Sequence, residues 1–228
     1  MRWQIAVLGA CLLAGCGGGG GGGGQAAATL IGRVLNVETG GPTNPRSSVQ
    51  AGSNSTLTSA SDGSFALGVP AGTSSLTVDT LSPLGVWTFA VPPASGTTDA
   101  GDLWVGPERV VVRGFVRNAS DNSGIQGAIV TFAGRTATTS ASGEFVLNDV
   151  AYSSSNQTAF WGIAGFARAS GFVGTEWSAQ PNVAISGTVT VSDVYLSPNS
   201  DPNPPPTPYN IWGRVSPPAD APGTIVTL

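Results

Sequence analysis

Large apolar side chains fall on alternate positions in several short runs of this chain. Gly63-Ser64-Phe65-Ala66-Leu67 and Gly143-Glu144-Phe145-Val146-Leu147 show it most plainly. That is the period of a strand with one buried face. A second layout, an apolar stretch with a glycine near its middle, occurs three times. The copies are Leu30-Ile31-Gly32-Arg33-Val34-Leu35, Val112-Arg113-Gly114-Phe115-Val116-Arg117 and Ile211-Trp212-Gly213-Arg214-Val215. A turn-rich stretch follows each, at 39–42, 121–124 and 217–220, then a second apolar strand at 48–50, 128–132 and 224–228. A Thr-rich strand comes next at 56–58 and 136–139. Gly63 and Gly143 then stand where a tight turn calls for a positive φ.

The first copy continues with predicted strands at 75–78, 86–91 and 103–105, and the second with strands at 159–167, 172–177 and 189–196. Outside the first residues no segment carries a helical stripe. Short strands at such spacing, separated by Gly, Pro and Ser, predict an all-β chain of tandem antiparallel sandwiches.

The order Gly-x-Val, turn, apolar strand, Thr-rich strand, Gly-x-Phe-x-Leu resembles the carboxypeptidase regulatory-like domain. The B-type repeats of Gram-positive adhesins are similar. The resemblance covers 29–106 and 109–197, and implies a Greek-key, transthyretin-like (prealbumin-like) sandwich in each.

The amino-terminal end is read differently. Arg2 precedes an apolar run from Ile5 to Leu13, and small residues follow at Ala14 and Gly15. This is the layout of a secretory signal, and it is too short for the roughly 20 residues of a membrane-spanning helix. Leu13-Ala14-Gly15-Cys16 resembles the lipobox of bacterial lipoproteins. It implies a signal peptide at 1–15, cleavage before Cys16, and acylation of the Cys16 thiol. Two or more acyl chains give stable anchoring. The partner implied is membrane lipid, and the location is the cell envelope. Gly17 is not the Asp that favours inner-membrane retention in the Gram-negative pattern, so an outer-membrane destination is allowed.

Glycines fill positions 17 to 24, so 16–28 reads as a lipidated cysteine on a flexible tether. Residues 198–208 are proline-rich and predict a semi-rigid linker. Residues 209–228 read as the start of a truncated third repeat. They are too short for a core of their own, and their strands are candidates for addition to the edge of a neighbouring sheet.

Composition narrows the chemistry. The chain has no His, and all nine basic residues are Arg. With Cys11 removed and Cys16 acylated, no thiol remains for a disulfide. The common zinc, copper and haem ligands are missing. So are the bases of Ser-His-Asp and Cys-His catalysis and any Lys nucleophile. The zinc-binding peptidase that accompanies the regulatory-like domain in its namesake family therefore has no counterpart here. Nor can the Lys–Asn isopeptide bond of the adhesin repeats form. The net charge of −4, without a basic stretch, argues against nucleic acid. No calcium-loop spacing appears, and no metal, cofactor or catalytic residue is assigned.

Two alternatives to a non-enzymatic structural or interaction module remain. The remote one is a carboxylate-based hydrolase, although Asp62, Asp99, Asp102, Asp121, Asp149, Asp201 and Asp220 fall in turn-rich stretches, where Asp bonds its own backbone. The stronger one is carbohydrate binding through exposed aromatics. Phe160 and Trp161 follow a Ser/Asn-rich loop, and in a regular strand one of them must face outward. Trp177 is the third candidate. The possible partners are thus polysaccharide or another envelope protein.

Overall fold

The computed structural model describes residues 27–81 and 83–199. The expected signal peptide, Cys16, the glycine run, most of the proline-rich segment and the third repeat start lie outside them.

The first half holds seven strands: β1 (Ala27–Asn36), β2 (Ser48–Ala51), β3 (Asn54–Leu57), β4 (Ser64–Pro70), β5 (Ser75–Asp79), β6 (Val86–Ala90) and β7 (Thr97–Val105). They form two sheets, ordered β4-β1-β7 and β3-β2-β5-β6. The second half repeats the plan with β8 (Glu108–Asn118), β9 (Ile129–Phe132), β10 (Arg135–Thr138), β11 (Glu144–Tyr152), β12 (Gly165–Arg168), β13 (Thr175–Trp177), β14 (Thr188–Thr190) and β15 (Val194–Leu196). Its sheets are β11-β8-β14, with β15 also on β8, and β10-β9-β12-β13.

Alternation places the core. On β4, Phe65, Leu67 and Val69 are buried while their neighbours are not. Across the first sandwich they meet Val49, Leu76, Val78, Trp87 and Phe89, and in the second Phe145 and Leu147 meet Val130, Phe132 and Ala167. The glycine of each first strand explains itself here. Gly32 pairs with Phe65, and Gly114 with Phe145, across antiparallel register. In both pairs the ring comes within 3.0 Å of where a Cβ would stand, as in an aromatic packed over a strand glycine. Gly63 and Gly143 have φ of +74° and +83°, and the carbonyl of each accepts from the first strand, from Val34 N and Val116 N.

Three features depart from the sequence expectation. The last strands run parallel to the first: β7 along β1, and β14 and β15 along β8. The strand expected at 159–167 is instead a single helical turn, α1 (Thr158–Trp161), followed by β12. Adjacent helical residues diverge by about 100° rather than 180°. Phe160 can therefore point into the core while Trp161 turns sideways. Asn156 starts the turn by accepting from Thr158 N. Finally, the strand expected over 189–196 is broken in two around Asp193, which pairs with Arg117. Among the described residues no helix is long and apolar enough to cross a membrane.

Candidate functional site

The three aromatic candidates take different places. Phe160 is fully buried, edge-on to Phe132 at 5.4 Å and to Tyr152 at 5.0 Å. It turns no face to solvent, because the helical turn aims it inward. Trp161 is half-buried and donates its indole N–H to the Asn182 carbonyl at 3.0 Å. Trp177 is also half-buried. It stacks on Phe132 at 4.9 Å and lies over Gly165, where a Cβ would come within 2.4 Å of the indole. Both tryptophans close the rim of the second sandwich.

The Ser/Asn-rich loop before Phe160 is engaged by the first sandwich. Ser153 and Ser155 donate to the Glu38 carboxylate, and the Asn156 amide donates to the Glu38 carbonyl at 2.6 Å. Within its own sandwich Ser154 donates through its amide and hydroxyl to Glu108, at 2.8 and 2.5 Å. The Ser154 hydroxyl, with help from the amide, holds the Glu108 carboxyl below the usual glutamate range. Between these contacts Gly106 fits against Val37 and Tyr152 with no room for a side chain.

On the other side of the joint, two arginines meet the edge of β6. Arg109 stacks on the buried Trp87, its guanidinium carbon 3.7 Å from the ring centroid, and donates to the Val86 carbonyl at 2.5 Å. Arg135 lies 4.3 Å over Phe89 and donates to the Thr88 carbonyl at 2.5 Å. Its Nε donates to the Asp149 carbonyl at 2.9 Å. That carbonyl is presented where β11 breaks register between Leu147 and Val150, with Asp149 at φ +53°. Burial pushes the Arg135 guanidinium down, partly offset by Asp149. The free carbonyls of an edge strand thus end on guanidinium donors.

Next to this joint an open cleft of about 710 Å³ lies between the sandwiches. One wall carries Asp99, Asp102 and Trp104 of β7. The other carries Thr131, Arg135 and Thr136 of the β9–β10 hairpin. Asp102 meets Arg33 through both oxygens, at 2.7 and 2.6 Å, and this pairing raises the Arg33 pKa. Asp99 uses one oxygen to accept from Gly101 N at 2.7 Å. Trp87 and Trp161 spend their N–H groups on carbonyls, and that of Trp177 is buried. Among the described residues the Trp104 N–H has no protein acceptor and is not buried. Sequence reasoning did not single out Trp104; pairing across β7 places it at this wall.

Other acids serve turns. Asp62 and Asp121 each accept from the amide and hydroxyl of the serine two positions on, and serine hydroxyls, Ser59 for Asp62 and Ser123 for Asp121, do most to lower their pKa values. Among the described residues no three His, Cys, Asp or Glu side chains gather as a metal site would require.

No protein-family model matches the sequence, nor does any curated protein. Among solved structures the chain is similar to a type II cohesin–X–dockerin complex from Acetivibrio cellulolyticus, at 16% identity and a TM-score of 0.28. That match covers 38% of this chain and 56% of the other, so the chain spans little more than half of it. It is also similar to the shaft pilin SpaA from Lactobacillus rhamnosus GG, at 9% identity and a TM-score of 0.26, over 76% of this chain and 98% of that one. A streptococcal ancillary pilin matches at 11% identity and a TM-score of 0.29, over 76% and 63%. At these overlaps the functional reading rests on the chain's own residues.

Proposed function

We propose that this protein is a lipid-anchored, non-enzymatic envelope protein that holds a rigid pair of β-sandwiches away from a membrane as a structural or adhesion module. The observation that carries the reading is the joint. Side chains of residues 38, 109, 135, 153, 155 and 156 bind one sandwich to the other, where a flexible linker would leave them independent. A rigid tandem suits a spacer or a display unit. The missing His, Lys and free thiol, and acids such as Asp62, Asp102, Asp121 and Asp193 committed to turns and to arginines, support a role without catalysis.

The anchor is tested by Cys16→Ser. Membrane fractions should lose the protein, or its processing should stall, while the sandwiches stay folded. Normal processing with full membrane retention removes lipid anchoring from the proposal. The interaction role through 209–228 is tested by sizing the protein with and without those residues. A monomer in both cases removes self-assembly by strand addition.

A second reading, capture of polysaccharide, is favoured by the half-exposed aromatics Trp104, Trp161 and Trp177. Buried Phe160 can support such a surface only from beneath.

A further inference from the structure

The cleft between the sandwiches has the size of small-molecule sites, which run from roughly 300 to 1,000 Å³. Its groups have a distinct chemistry. Trp104 offers an apolar ring with a free N–H at its edge. Asp99 keeps one carboxylate oxygen without a protein partner. Thr136 has an exposed hydroxyl, and the Thr131 hydroxyl makes only a long contact, 3.4 Å, to the Phe166 carbonyl. A pyranose presents the complement: a face of C–H groups and a rim of hydroxyls that both donate and accept.

Charge and backbone narrow the ligand further. Asp99 and Asp102 are balanced by Arg33 and Arg135, which favours an uncharged glycan over an acidic one. A peptide adding as a strand needs a continuous backbone edge. The β7 edge is interrupted where its register shifts between Ile31 and Arg33 of β1, with Gly101 at φ +73°.

We infer that this cleft binds a short stretch of neutral polysaccharide, with a sugar ring stacked on Trp104 and its hydroxyls held by Asp99, Thr131 and Thr136. The inference rests on the carbohydrate reading and moves its site away from the rim of the second sandwich. Hydrolysis is not part of it, since Arg33 engages both oxygens of Asp102, the neighbouring acid.

The test is affinity electrophoresis of the full chain, held in a polyoxyethylene detergent, through gels containing soluble starch, hydroxyethyl cellulose, xylan or galactomannan. At least one polysaccharide should retard the protein. Trp104→Ala should weaken that retardation about tenfold, the scale of one lost stacking contact with its hydrogen bond. Asp99→Asn and Thr131→Val alter exposed side chains, so they should weaken binding without disturbing the fold. Trp161→Ala and Trp177→Ala should leave it in place. If those two abolish binding and the cleft variants do not, the cleft is wrong and the carbohydrate reading stands. If none of the four retards the wild-type chain, both fall.

Discussion

The ring of Phe145 lies over Gly114, its register partner on the neighbouring strand. A Cβ at Gly114 would stand 3.0 Å from that ring and 2.6 Å from a methyl of Val191. The space is already filled, so Gly114→Val should destabilise the second sandwich by roughly 1–3 kcal/mol, the usual cost of overpacking. Urea denaturation measures it. Gly68→Ala is the control, because nothing lies within 4 Å of its Cβ.

That pairing also shows what a sequence can reveal. A glycine in the middle of a strand looks like a weakness, but its recurrence at Gly32 and Gly114, each with a later Gly-x-Phe, marks a packed pair. Strand positions were legible for the same reason, since alternation reports burial directly. Strand direction was not, because β7 and β14 alternate in the same way whether they pair parallel or antiparallel. The apolar run at 159–167 was misread as one strand. A short apolar run has no period that separates a helical turn from a strand, and here Phe160 and Trp161 both needed packing partners. The joint was invisible because Arg109, Arg135 and Ser153 to Asn156 have the composition of exposed residues.

Thr139 is buried, accepts from Ala128 N at 2.8 Å and donates to the Ile125 carbonyl at 2.6 Å. Thr58 does part of this in the first sandwich, accepting from Ser47 N at 3.1 Å. Valine has the same shape but no hydroxyl. Thr139→Val should therefore strand two buried backbone groups, at a cost of about 1–3 kcal/mol. Thr138→Val, one position along and exposed, should change stability little. Equal effects in the two variants would show that the hydroxyl is not responsible.

Glu108 makes the 153–156 loop, which reaches across the joint to Glu38, sensitive to acid. Its pKa is lowered in the folded protein by the Ser154 hydroxyl and amide. A depressed carboxylate contributes stability that is present above its unfolded value and is lost as pH falls through the folded one. The melting temperature of the wild type should exceed that of Glu108→Gln at neutral pH, and the two should converge below the ordinary glutamate range. A gap that persists unchanged into acid would mean that Glu108 acts by shape alone.

Arg135 is the member of the joint that should be hardest to replace. Its planar guanidinium meets the Thr88 carbonyl, the Asp149 carbonyl and the Phe89 ring together. An ammonium has no plane to stack and a different donor geometry, so Arg135→Lys should recover little of what Arg135→Ala loses. Hydrogen bonds from a charged donor contribute about 1.5–3 kcal/mol, and some of that is returned as the cation regains solvent. The greater effect should be on rigidity. Small-angle scattering of Arg135→Ala should fit a distribution of angles between the sandwiches where the wild type fits one, and proteolysis near Gly106 and Pro107 should quicken. If the variant melts at a lower temperature but scatters as a single fixed pair, the contacts of Glu38 and Arg109 suffice to hold the joint.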